Sequence, residues 1–214
     1  MSGAEERGPG GDAGADSAKL QELVAESDTG GRAPTGAVAK LMLVVALAWS
    51  LFQIWYASPF SFSLGFLVFN ATEARSIHLA LAVFLAYTAY PAFKRSPRDH
   101  IPIQDWVFAL VGAFCAGYLF LFYAQLAERP GQPTTMDIWT ALVGLVLLLE
   151  ATRRVLGPPM TLVAIVFLVY MFGGPYMPDM IAHKGASLAK GMSHQWLTTE
   201  WVFGIALGVS SSFI

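Results

Sequence analysis

Long apolar runs alternate with short clusters of charged residues along most of this chain. The first run, from Val38 to Ala57, has twenty residues. As an α-helix it would rise about 30 Å, the thickness of the hydrocarbon core of a bilayer. The second run extends from Ile77 to Phe93 and can begin as early as Ala71, and the third extends from Trp106 to Ala124. The pattern predicts membrane-spanning helices.

The fourth run has only twelve uncharged residues, from Ile138 to Leu149, but its flanks lengthen the predicted helix. Thr134, with Asp137 three residues later, fits a variant of the capping box. Gly157 followed by Pro158 is a helix stop signal. Together these signals predict a helix of about 22 residues.

Two further apolar segments follow, the fifth from Pro159 to Phe172 and a sixth that opens at Trp201. The more polar residues 173–200 predict a connection with an interfacial helix near Trp196. The sixth run has no cap or charge before the last residue, so we expect this sequence to be an incomplete piece of a longer chain. The predicted fold class is an all-α integral membrane protein, with an antiparallel four-helix transmembrane bundle, a fifth span and the start of a sixth apolar segment.

Residues 1–36 are polar and rich in glycine and alanine. We predict a disordered cytoplasmic leader with a short amphipathic helix, because Leu20, Leu23 and Val24 recur at helical spacing. The leader carries mixed charges, unlike the basic start of a secretory signal, so the first apolar run is expected to remain as a helix.

Charged residues are few in this chain. They make up only 13% of the residues, about half the share in an ordinary soluble domain. The sequence has no basic patch interleaved with aromatic residues, the pattern that would indicate nucleic-acid binding.

The distribution of the basic residues sets the predicted orientation. With the N-terminus in the cytoplasm, nine of the thirteen basic residues fall on the inner side, as the positive-inside rule requires. The cytoplasmic anchors predicted on this basis are Lys94, Arg95, Arg98, Arg153 and Arg154.

A polar group precedes the second apolar run. Asn70 can cap that helix, with Glu73 at the third position reaching back to the open amides. Arg75 and His78 lie on one helix face. Two interpretations stay open: a capped, charge-balanced helix start at the interface, or a polar contact point for another membrane subunit or a periplasmic partner.

Motifs for common chemistry are absent from the sequence. It has no phosphate-binding loop, no zinc spacing of cysteine and histidine, and no pair of intramembrane histidines for a haem. Glu150 is the nearest candidate for an acidic group within a span, and it can pair with Arg153 and Arg154 at i+3 and i+4. We therefore expect neither an enzyme nor a bound cofactor or metal.

Several strings, taken in order, resemble the start of a TRAP (tripartite ATP-independent periplasmic) transporter permease. The resemblance is to the fused type, in which a small four-helix subunit precedes the large transport subunit. The strings are "LQELVAESDTGGR", "VALAWSLFQIWYASP", "FNATEARSIHLALAVFLAYTAYPAFKRSPRD", "LLLEATRRVLGPPMTLVAIVFLVY", "FGGPYMPDMIAHKG" and "WLTTEWVFGIALGVSSSF".

The resemblance implies a secondary transporter of the bacterial inner membrane, driven by sodium, for organic acids. A periplasmic solute-binding protein of the TAXI class would deliver the substrate. Residues 37–157 would correspond to the small scaffold subunit and residues 158–214 to the start of the large subunit. The substrate and sodium sites of such permeases lie in later hairpins, so this polypeptide alone is expected not to transport.

Two other functions remain open from the sequence. One is a stand-alone multi-pass membrane adaptor or sensor whose polar leader binds a cytoplasmic partner. The other is a haem- or quinone-binding redox bundle, which in its haem form predicts visible absorbance.

Overall fold

The structure, a computed structural model, describes residues 31–32, 34–93, 95–129, 131–198 and 201–212. Most of the predicted leader, residues 1–30, and the predicted anchor Lys94 lie outside the described residues. The described residues form helices and loops, with no strand among them. The long helices are α1 (Gly36–Ala57), α2 (Ala71–Ala89), α3 (Ile103–Leu121), α4 (Thr135–Leu156) and α5 (Pro158–Gly173).

Shorter helical segments fill several connections. One lies between α1 and α2, one follows α3, and the others follow α5. They are Phe60–Leu64, Tyr123–Ala127, Gly174–Tyr176, Leu188–Met192, Ser193–Leu197, Trp201–Ala206 and Leu207–Ser212.

Four helices are long and apolar enough to cross a membrane: α1, α3, α4 and the span Pro158–Tyr176, which contains α5. They indicate a multi-pass membrane protein. They are not the first four predicted spans, because α2 is not among them. Glu73, Arg75 and His78 in the first half of α2 lower its mean hydropathy.

The predicted capping boxes are present at the starts of α2 and α4. Asn70 Oδ1 accepts from the backbone N–H of Glu73 at 2.8 Å, and Glu73 Oε2 accepts from the N–H of Asn70 at 2.9 Å. Thr134 and Asp137 make the same reciprocal pair at 3.4 and 2.7 Å. Both helices begin where these caps predicted, because the caps occupy amides that the helix itself leaves open.

Prolines move two helix boundaries away from the ends of the apolar runs. α2 stops at Ala89 instead of reaching Phe93, because Tyr90 precedes Pro91 and is extended, with φ −113° and ψ 125°; proline disfavours helical geometry in the residue before it. α3 begins directly after Pro102, three residues before the predicted start.

The stop signal after α4 works as predicted. Gly157 has a φ of +85°, a conformation that favours glycine. Pro158 then occupies the first position of α5, where its missing N–H costs no hydrogen bond. α4 therefore has 22 residues, the length that its caps predicted.

α2 packs against α1, α3 and α4; α3 also packs against α4, and α4 against α5. The α2–α3 contact is close because small residues line it. A Cβ atom at Gly112 would lie 2.7 Å from Val83 Cγ1, and Ala116 is fully buried. Ser76 Oγ donates to the carbonyl of Ala116 at 2.6 Å and accepts from the N–H of Phe120 at 3.2 Å.

The outer helices bury few residues. α1 has no buried residue, and in α5 only Thr161 is buried. Both are apolar around most of their circumference, with exposed side chains such as Leu51 and Phe167. Such faces suit contact with lipid or with another membrane-embedded surface.

Candidate functional site

Five charged residues meet where α2 and α4 end and α3 begins. We call Arg32, Asp105, Glu150, Arg153 and Arg154 the ionic cluster. Asp105 lies in the first turn of α3 and is fully buried. Its Oδ1 accepts from Arg154 Nη1 at 2.9 Å, and its Oδ2 accepts from Arg32 Nη2. One carboxylate therefore joins α3 to α4 and to the segment before α1.

Arg32 also binds the end of α2. Its backbone N–H donates to the carbonyl of Ala89 at 2.7 Å. Its guanidinium donates to the carbonyls of Tyr87 at 3.0 Å, Thr88 at 3.4 Å and Pro97 at 3.2 Å. The last carbonyls of a helix have no partner within it, so Arg32 acts as a side-chain cap for α2.

Glu150 pairs with both neighbouring arginines, as the sequence predicted. Its carboxylate accepts two bonds of 2.7 Å from Arg153 and one of 2.9 Å from Arg154. Arg153 also donates to the carbonyl of Ala92 at 2.8 Å. The Arg154 guanidinium lies 4.6 Å from the centroid of the Tyr87 ring, within the range of a cation–π contact.

The predicted cytoplasmic anchors therefore have different environments. Arg153 and Arg154 belong to the ionic cluster. The side chain of Arg154 is only 2% exposed, and that of Arg153 is 30% exposed. Arg95 and Arg98 are exposed on the α2–α3 connection.

The cluster holds three guanidinium groups against two carboxylates, which leaves one positive charge. Buried charges are costly to desolvate and are tolerated when paired and hydrogen-bonded. Sequence reasoning missed Asp105 and Arg32 in this role, because their contact spans 73 positions of the chain. The available signal was an aspartate in the first turn of an otherwise apolar helix.

A second buried carboxylate joins the opposite ends of α3 and α4. Asp137 is fully buried, accepts from Tyr118 Oη at 2.6 Å and forms an ion pair with Arg129 at 2.9 Å. The same side chain closes the capping box with Thr134. α3 and α4 are thus joined by buried polar contacts at both ends.

The polar residues predicted as a group at the start of α2 each contact a different partner. Glu73 closes its capping box. Arg75 Nη1 donates to the carbonyl of Phe203 at 2.9 Å. His78 contacts α1, where its Nδ1 accepts from Trp49 Nε1 at 3.2 Å and also contacts Gln53.

The segment that follows α5 inserts an aromatic side chain between α3 and α4. Trp196 is 1% exposed and its Nε1 donates to the carbonyl of Cys115 at 3.0 Å. Its ring lies so close to Gly144 that a Cβ atom there would be 2.4 Å away. A helical segment at Trp196 is confirmed as Ser193–Leu197, and the Trp196 ring packs against Gly144 and Phe203. The interfacial location of this segment stays a prediction.

Two apolar grooves border α4. The larger, of about 730 Å³, lies between α4, α5 and the segment around Gln195. Tyr170 and His183 on its rim already bond within the chain, to the carbonyl of Ile181 and to the carbonyl of Tyr170. The smaller, which we call the α2–α4 groove, has about 460 Å³. Its lining is Trp49, Leu79, Ala82, Val83, Leu85, Ala86, Ala89, Tyr90, Leu148, Ala151, Thr152, Val155 and Leu156.

Within the part of the chain that the structure describes, no group of three or more histidine, cysteine, aspartate or glutamate side chains could hold a metal ion. No family model matches the chain, and no curated protein or solved structure matches it significantly.

Proposed function

We propose that this chain is the membrane scaffold portion of a TRAP uptake permease for organic acids. The permease is sodium-coupled, depends on a periplasmic TAXI-type solute-binding protein and lies in the bacterial inner membrane. In this proposal α1 to α4 form an antiparallel bundle with a cytoplasmic N-terminus, and α2 crosses the membrane with the other three. Residues 37–157 are the small-subunit part, and residues 158–214 begin the large subunit.

One observation carries the proposal: the part assigned to the large subunit is docked onto the small-subunit part by buried contacts. Trp196 fills the space over Gly144 and bonds to Cys115. Arg75 bonds to the carbonyl of Phe203 beside a break in the helical backbone at Gly204. A scaffold that holds a moving transport subunit needs a fixed junction of this kind.

The ionic cluster supports the same role. It ties together the ends of α2 and α4, the start of α3 and the segment before α1 with paired charges. Such a network resists relative movement of these helices, because separating Asp105 from Arg32 and Arg154 would leave a buried carboxylate without its partners. The large apolar faces of α1 and α5 leave room for lipid and for the rest of the permease.

The proposal is tested by transport in a defined system. The complete gene product is tagged at its N-terminus in its own chromosome, purified from native membranes and reconstituted in liposomes. Labelled carboxylic acids are then offered with the periplasmic fraction of the same cells. We expect uptake of at least one acid that requires both an inward sodium gradient and the periplasmic fraction.

A matched pair of variants links uptake to the junction. Trp196→Ala removes the buried contact and should reduce uptake, whereas Trp139→Ala, at a side chain that is 61% exposed, should not. The proposal fails if no acid in the panel is taken up in a sodium- and periplasm-dependent way.

A further inference from the structure

The length of the α2–α4 groove along α2 is about the thickness of the hydrocarbon in one membrane leaflet. Along α2 it runs from Leu79 to Ala89, ten helical steps that rise about 15 Å. Half of the hydrocarbon core of a bilayer is about 15 Å. The groove therefore has the length of a lipid chain in one leaflet, and it ends at the level where α2 itself ends.

The walls of the groove suit hydrocarbon. Ten of its thirteen lining residues are alanine, leucine or valine. Of the others, Thr152 donates to the carbonyl of Leu148 at 2.8 Å, and Trp49 donates to His78. Tyr90 lies at the end of the groove, where α2 stops.

The groove is too small to enclose a transmembrane helix. A helix about 10 Å in diameter occupies about 1,200 Å³ over 15 Å of length, against about 460 Å³ in the groove. An extended acyl chain is far thinner. A lipid chain can therefore lie wholly within the groove, whereas a protein helix could enter it only with its side chains.

A cationic side chain contacts the end of the groove where Tyr90 lies. The carbonyl of Tyr90 accepts from Arg154 at 3.4 Å, and the ionic cluster to which Arg154 belongs carries one excess positive charge. Arg95 and Arg98 are exposed on the connection that continues from Tyr90, against the exposed carboxylate of Asp99. An anionic headgroup complements this end better than a zwitterionic one.

We propose that the α2–α4 groove binds one acyl chain of an anionic phospholipid, whose phosphate lies at the basic end beside Tyr90. The site does not depend on the transporter assignment, since it needs only that these helices lie in a bilayer. With the N-terminus in the cytoplasm, it faces the inner leaflet, where anionic headgroups attract basic residues.

Native mass spectrometry tests the headgroup preference. The full chain is purified in detergent, stripped of lipid, and titrated with phosphatidylglycerol or phosphatidylcholine of identical acyl chains. We expect one phosphatidylglycerol to be retained at concentrations where phosphatidylcholine is not. The preference should fall about fivefold for each of Arg95→Gln and Arg98→Gln, the change typical of one basic residue near an anionic surface.

A pair of variants places the site. Ala86→Phe fills the groove and should abolish retention of phosphatidylglycerol. Ala48→Phe adds the same ring to an exposed position of α1 outside the groove lining and should retain it. Equal retention by the two variants would overturn the proposal, as would equal affinity of the unmodified chain for both lipids.

A measurement without substitutions covers the case in which Ala86→Phe does not fold. Phosphatidylglycerol with a photoreactive group in one acyl chain is cross-linked to the unmodified protein, and the labelled peptides are sequenced. Label is expected on the facing stretches 82–90 and 148–156. Label confined to the outer faces of α1 and α5, or a co-purifying polypeptide in place of lipid, would overturn the assignment.

Discussion

Asp105 Oδ1 lies 2.9 Å from Arg154 Nη1, and neither side chain is more than 2% exposed. Asp105 lies in the first turn of α3, and Arg154 lies in the last turn of α4. Arg32, in the segment before α1, donates to the other carboxylate oxygen of Asp105. A contact of this kind fixes which helix ends meet, because neither charge has water to replace its partner.

Removing the charge of Asp105 should destabilise the protein strongly. In Asp105→Asn two buried guanidinium groups lose their shared carboxylate. Breaking a buried pair by removing one partner costs about 3–5 kcal/mol. The free energy of unfolding in detergent, followed by circular dichroism, measures the loss.

The control for this prediction is Asp99→Asn. The side chain of Asp99 is 83% exposed, and exposed ion pairs contribute little. If the two variants unfold at the same denaturant concentration, the ionic cluster does not hold the helices together.

A methyl group at Gly144 should displace Trp196. The Cβ atom of Gly144→Ala would meet the indole ring at 2.4 Å, and such overpacking costs about 1–3 kcal/mol. Gly117→Ala is the matched control, because its Cβ would lie 3.9 Å from Ala80, an ordinary contact, and alanine is the better helix former by about 0.5–1 kcal/mol.

Thermal unfolding should therefore shift in opposite directions for the two glycine variants. Trp196→Phe, with a smaller ring, should relieve part of the cost of Gly144→Ala in the double variant. Additive effects of Gly144→Ala and Trp196→Phe would contradict the contact.

Arg75 should hold the segment after α5 near the break at Gly204. In Arg75→Ala the carbonyl of Phe203 loses a charged donor, and such a hydrogen bond contributes about 1.5–3 kcal/mol. Amide hydrogen exchange in residues 201–212 should accelerate by about tenfold or more. Arg98→Ala, at an exposed position, should leave exchange in that segment unchanged, and an equal response to both variants would refute this role.

The basic connection after α2 should set the membrane orientation. Each basic residue near an anionic inner surface contributes about 1 kcal/mol. Replacing Lys94, Arg95 and Arg98 together by glutamine should place a fraction of a reporter fused after Asp99 outside the cytoplasm. A reporter that stays wholly cytoplasmic in the triple variant would show that these residues do not direct insertion.

Local signals predicted the helix boundaries that carry a cap or stop motif. The capping boxes at Asn70 and Thr134 and the stop at Gly157 each depend on residues within four positions of one another, so the sequence contains the whole interaction. The pairing of Glu150 with Arg153 and Arg154 is local in the same sense.

Contacts between distant segments were harder to predict. Gly112 and Ala116, four positions apart on α3, both contact α2. Ala82 and Ala86, small residues at the same spacing on α2, line the α2–α4 groove. Spacing alone shows that two residues share a helix face but not which neighbour that face meets.

The buried positions of Asp105 and Trp196 have the same explanation. Each side chain is satisfied by groups from other helices, Asp105 by Arg32 and Arg154, and Trp196 by Cys115 and Gly144. The sequence shows an aspartate at the start of an apolar run and a tryptophan in a polar connection, and both residue types are also common at membrane interfaces.

Reporter fusions in the three connections between α1 and α4 test the membrane scaffold most directly. Alkaline phosphatase, which is active only outside the cytoplasm, is fused after Phe66, after Asp99 and after Gln132. Four spans with a cytoplasmic N-terminus predict activity at the first and third positions and none at the second. Equal activity after Phe66 and after Asp99 would mean that α2 does not cross the membrane, and would contradict the proposed scaffold.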